Sequence, residues 1–73
     1  MHLLDLRIAA HMAGGLVGKI LVSGTGNEFR VTSDNPDVDY VDVECTVNVY
    51  PVTGLTVGST NRFYNDALLT LKE

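Results

Sequence analysis

Between Tyr40 and Tyr50 the chain alternates. Val41, Val43, Cys45, Val47 and Val49 are apolar, and Tyr40, Asp42, Glu44, Thr46, Asn48 and Tyr50 around them are polar or amphipathic. A period of two over about ten residues, rich in β-branched and aromatic types and free of Gly and Pro, is the mark of a half-buried strand. On a helix the same valines would spread around the circumference. The stretch from Asp37 to Tyr50 is therefore expected to hold one long strand with a dry face and a wet, acidic face.

The N-terminal pattern admits two forms. Leu4, Leu6, Ile8, Ala10 and Met12 alternate with Asp5, Arg7, Ala9 and His11. Read as a strand, this segment turns at Ala13-Gly14-Gly15 and returns through residues 16–22. Met12 then faces Leu16, Ala10 faces Gly18, Ile8 faces Ile20 and Leu6 faces Val22. Three-residue hairpin loops want a Gly at the left-handed position, and one is present. The rival is a helix ending at Gly14-Gly15, since Leu3, Ala9 and Ala13 are good helix formers and glycine closes helices. The hairpin is the expected form.

A second turn falls at Gly24-Thr25-Gly26-Asn27. A two-residue connection there sets Val22 opposite Phe29 and Ile20 opposite Val31, again apolar against apolar. The three strands then form a meander whose dry side holds Leu6, Ile8, Ile20, Val22, Phe29 and Val31. A slip of one residue would turn each set to the other face.

Ser33-Asp34-Asn35-Pro36-Asp37 reads as a turn, because Pro36 fixes its own φ and Asp and Asn side chains bond the local backbone. Pro51 lacks a donor and is expected to end the long strand or mark an edge. Pro51 to Gly54 reads as a further turn, Leu55-Thr56-Val57 as a short strand and Gly58 to Asn61 as a loop. The tail has two equal readings. Phe63, Tyr64, Ala67, Leu68 and Leu71 make a helical stripe with Ser59 or Thr60 as its cap. Alternatively, Ala67, Leu69 and Leu71 make a strand after an Asn65-Asp66 turn. The expected fold is mainly β: one domain over residues 1–73, an antiparallel meander rolled into a barrel or compact sandwich, with a short C-terminal helix as one form of the tail.

Size bears on function here. A chain of 73 residues buries only about 60% of its unfolded surface, so its stability is thin. Cys45 is the only cysteine, which excludes an internal disulfide, and there is no CxxC pair or histidine cluster for a closed zinc site. Good packing or self-association must then supply the margin. The hydrophobic share of 45% is that of a globular chain. No apolar run approaches the roughly 18 residues of a membrane span. His2, Asp5 and Arg7 interrupt what would be the apolar core of a signal peptide. The expected setting is soluble, intracellular or associated with a particle.

The net charge of −4 comes from one segment. Residues 34–58 contain Asp34, Asp37, Asp39, Asp42 and Glu44 and no Lys or Arg. Such a chain lacks the basic footprint of a nucleic-acid binder. The run lacks the ligand spacing and central Gly of an EF-hand, and its mixed parity along a strand does not converge the carboxylates on a cation. A solvated face that discourages edge pairing is the simplest account. A face that meets a basic partner is the functional one, with Tyr40 and Tyr50 beside Asp37, Asp39, Asp42 and Glu44 as partner-binding residues. Aromatic side chains are enriched at interfaces.

Other motifs carry less. Ala13 to Ile20 has the glycines of a phosphate loop, but Ala13 stands where the first Gly belongs and Ile20 where Ser or Thr belongs. His2 and His11 have no evident partner for acid–base work. Cys45, between Val43 and Val47, reads as a buried thiol. The sequence supports no enzyme, cofactor or metal. Its leading expectation is a non-catalytic structural or assembly subunit, a homo-oligomer or an accessory on a larger particle such as a virion. The rival is a monomeric acidic module that inhibits a basic or nucleic-acid-binding protein. In both, the partner is protein, with neither direct nucleic-acid nor membrane contact.

Overall fold

The long strand is the spine of the sheet. The computed structural model describes residues 1–49 and 56–72. Helix α1 spans Leu3–His11, and strands β1 to β5 span Ile20–Val22, Glu28–Ser33, Tyr40–Val47, Thr60–Tyr64 and Thr70–Leu71. All five strands pair antiparallel in one sheet of order β4-β3-β2-β1-β5. The chain is thus mainly β, as its patterning predicts. Among the described residues β4 and β5 are the two ends of the sheet, so it is not closed, and one helix lies against it. The expected closure into a barrel is not seen among the described residues, whose strands make one unclosed sheet.

β3 buries Val41, Val43 and Cys45 and leaves Tyr40, Asp42 and Glu44 on the other face. The alternation ends at Val47. A register shift between Glu28 and Phe29 sets Glu28 against Val47 but Phe29 against Cys45. The shift takes the strand's end off the dry face, and Val49 is exposed rather than buried. Across the sheet Phe29 meets Phe63 of β4 edge to face, with ring centroids 4.8 Å apart.

The expected N-terminal hairpin is replaced by α1. Its inward residues are Leu3, Leu6 and Arg7, with Ala10 partly buried, a spacing of three, one and three that only a helix brings onto one side. Arg7 in the middle of that stripe breaks its apolar character, and Leu4, Ile8 and Met12 form a second apolar row one step round. The two rows together imitate strand alternation. The start of the helix has no side-chain cap. Instead Leu3 N–H donates to Ala67 O at 2.8 Å and Leu4 N–H to Asn65 O at 3.0 Å. Donors that a helix leaves open are thereby met by a distant turn. The helix ends where Gly14 and Gly15 adopt φ of +95° and +93°.

The β1–β2 register also differs from expectation. Ile20 faces Arg30, Leu21 faces Phe29 and Val22 faces Glu28. The connection is a three-residue loop, closed by Ser23 N–H donating to Asn27 O at 2.9 Å, with Gly26 at φ +90°. That is the loop type with a left-handed glycine. One residue more than a two-residue turn inverts the face of β1, so fully buried Leu21 enters the core and Ile20 and Val22 do not.

The tail is strand, not helix. β4 ends at Tyr64, a turn covers Asn65 and Asp66, and Leu69 is buried before β5 pairs with β1. Thr60 and Asn61, expected in a loop, open β4. Thr56 and Val57 belong to a turn rather than a strand: Ser59 N–H donates to Thr56 O at 3.0 Å. The expected turn at Pro51 to Gly54, and Leu55, lie outside the described residues. The core is one cluster of Leu3, Leu6, Leu16, Leu21, Phe29, Val31, Val41, Val43, Cys45 and Leu69 between α1 and one face of the sheet.

Candidate functional site

The residues expected to bind a partner fall in two places. Tyr40, Asp42 and Glu44 lie along the outer face of β3, while exposed Asp37 and Asp39 lie in the turn before it. Tyr50 lies outside the described residues. The acidic character of the face does not survive folding. Asp42 accepts a hydrogen bond from Arg62 Nε at 3.1 Å, and Glu44 accepts one from Arg30 Nη2 at 3.1 Å. The bases come from the neighbouring strands β4 and β2, where cross-strand opposition brings opposite charges together. The Asp42 hydrogen bond raises the Arg62 pKa above its ordinary value, and Tyr64 and Tyr40 add to this. Arg62 also stacks over the Tyr40 ring at 3.8 Å, and Tyr40 packs on Tyr64 with centroids 5.7 Å apart.

Asp34 is neutralised by a different route. Arg7 Nε donates to Asp34 Oδ1 at 2.9 Å, and both side chains are about nine-tenths buried. The same guanidinium donates from Nη1 to Val38 O at 2.9 Å and to Asn65 Oδ1 at 2.8 Å, and from Nη2 to Asn35 O at 2.7 Å. Asp34 Oδ2 accepts from Leu16 N–H at 3.1 Å. One side chain of α1 therefore ties together the 34–38 turn, the 65–66 turn and the segment that leaves the helix. In low dielectric these charge-assisted bonds are strong, and loss of any partner strands the rest.

Above this cluster runs a groove of about 550 Å³. Leu4, Ile8 and His11 of α1 form one wall, and Pro36 and Val38 form the other. Arg7, Asp34 and Asn65 make the floor, with Gly14 and Gly15 at one end. A mainly apolar cleft with a few convergent polar groups is the usual form of a binding site. The sequence does not announce it, because its walls lie 25 or more positions apart. The available signal is Arg7, a charged residue at an inward helical position that requires a buried partner.

The remaining candidates are placed simply. Cys45 is buried, with Sγ 3.7 Å from Val47 O. His2 and His11 are exposed at the two ends of α1. Residues 16–19 form a turn in which Lys19 N–H donates to Leu16 O at 2.9 Å, leading into β1 rather than a helix as a phosphate loop would. Among the described residues no three His, Cys, Asp or Glu side chains come together as a metal site, and no helix is long and apolar enough to cross a membrane. No protein-family model, no curated protein and no solved structure matches this chain.

Proposed function

We propose that the protein is a non-catalytic assembly subunit that acts by associating with itself or with a larger particle. The observation that carries this reading is the outer row of α1. Leu4, Ile8 and Met12 are 44%, 63% and 92% exposed, and at spacings of four they adjoin one another along the helix. Leu68, also exposed, bridges to His2 at the start of the same helix. Single exposed apolar residues need no explanation, but a contiguous row beside a groove marks an interaction surface. The size argument points the same way, since a domain this small gains most from a partner.

The outer face of β3 has less support as the contact. Its Asp42 and Glu44 are occupied by Arg62 and Arg30, and Tyr40 is half-buried against Tyr64 and Arg62. The acidic-module reading weakens with it, since three of the five acids in residues 34–58 are paired.

The test is absolute solution mass by light scattering on a sizing column, over a wide dilution series. A defined oligomer that Ile8→Ser dissociates without changing the far-ultraviolet circular dichroism supports the proposal. An isolated wild-type monomer that also fails to cosediment with any larger assembly removes it.

A further inference from the structure

The charges that folding leaves uncompensated are sorted in space. Arg7, Arg30, Arg62 and Lys72 each hold a carboxylate, so Lys19 is the one Lys or Arg without an ion pair among the described residues. Four described acids likewise have none: Asp5, Asp37, Asp39 and Asp66. Each of the four adjoins in sequence a residue that lines the groove, namely Leu4, Pro36, Val38 or Asn65. The backbone beside the groove thus carries acids with no ion pair, with exposed Asp37 and Asp39 on either side of its lining residue Val38. The same chain presents, on the turn that leads from the groove's glycine end into β1, an exposed apolar side chain, Val17, two residues from exposed, unpaired Lys19.

We propose that the groove beside α1 receives a second copy of this chain, whose Val17-Gly18-Lys19 turn enters with Val17 against Leu4, Ile8 and Val38 and with the Lys19 ammonium beside Asp37 and Asp39. This rests on the assembly reading and specifies its contact. The turn follows the groove-lining Gly15 by two residues, and in an isologous dimer one two-fold axis forms the contact twice. Burial of Val17 and the α1 row supplies the apolar part of the affinity. Opposite charge beside the groove sets register and steers encounter. The groove wall is incomplete without the partner turn, because the apolar side chains of Leu4 and Ile8 otherwise face water.

The experiment is a charge exchange followed by sedimentation equilibrium. Lys19→Glu alone, and Asp37→Lys with Asp39→Lys, are exposed changes expected to leave the circular dichroism unaltered. Each is expected to raise the dimer dissociation constant by roughly tenfold at low salt, and less at high salt. The chain that combines all three changes restores the opposite charges and is expected to return to within about threefold of wild type. A combined chain as weak as its parents, or a dimer indifferent to Lys19→Glu, overturns the contact. An oligomer that persists unchanged through all of these variants leaves the assembly reading standing while removing this interface. A wild-type monomer at every concentration overturns the contact, and with it self-association.

Discussion

Arg7 Nε lies 2.9 Å from Asp34 Oδ1, which joins two residues 27 positions apart in a buried ion pair. The pair decides the fate of the N-terminal segment. A guanidinium facing the core is tolerable only where carboxylate and carbonyl oxygens meet its N–H groups, and the turns at 34–38 and 65–66 supply four acceptors. In the hairpin expected from alternation, Arg7 would point to the wet side and Asp34 would be left to solvent.

Replacing Arg7 with Ala leaves Asp34 buried beside the vacated space. The expected loss of stability is about 3–5 kcal/mol, the range for breaking a buried pair from one side. Arg7→Lys is expected to recover little, because an ammonium cannot span four acceptors on two turns as the planar fork does. Urea unfolding followed by circular dichroism measures both. A loss below about 1 kcal/mol would mean that the pair is solvated like a surface one.

The outer-face pairs are expected to behave differently. Arg30 and Glu44 are half or more than one-third exposed in their side chains. A double-mutant cycle on this pair with Ala is expected to give a coupling of about 0.2–1 kcal/mol that declines in salt. A coupling above about 2 kcal/mol that resists salt would contradict the exposed geometry.

The β1 register makes a sharp comparison. Leu21→Ala is expected to cost about 2–5 kcal/mol, as for a buried leucine with a cavity left behind. Ile20→Ala, whose side chain points to the opposite face, is expected to cost much less. Equal costs, or a larger cost at Ile20, would restore the register in which Val22 opposes Phe29.

Gly26 holds φ of +90°, and a Cβ there would lie 3.2 Å from Val49 Cγ2. Gly26→Ala is expected to destabilise by about 1–3 kcal/mol through backbone strain, with a further contribution from the contact. Gly24, which has a negative φ and open space around its Cβ position, is the control: Gly24→Ala is expected to be nearly neutral. Thermal unfolding of the two variants side by side decides it.

Local pattern by itself determined the spine and its punctuation. Strict alternation over Val41, Val43 and Cys45 admits one backbone form, and Asn35-Pro36 admits little but a turn; Asp37 N–H donates to Asn35 Oδ1 at 2.9 Å there. The tail's strand reading was one of two that local pattern allowed, and it holds because Leu69 finds a place in the core that the helical stripe denied it. Tertiary structure decided the rest. Helix rather than hairpin at residues 3–11 depends on acceptors from Asn65 and Ala67 for the first helical N–H groups, and on Asp34 for Arg7. The charge of the long strand likewise depends on which bases stand across from it. Counted along the chain, residues 34–58 carry five acids and no Lys or Arg. Folded, Asp34, Asp42 and Glu44 are met by Arg7, Arg62 and Arg30, because pairing in space couples residues that sequence separates. Alternation and turn chemistry act over a few residues and can be read directly, whereas ion pairs, register and the groove arise from contacts that exist only once the sheet has formed.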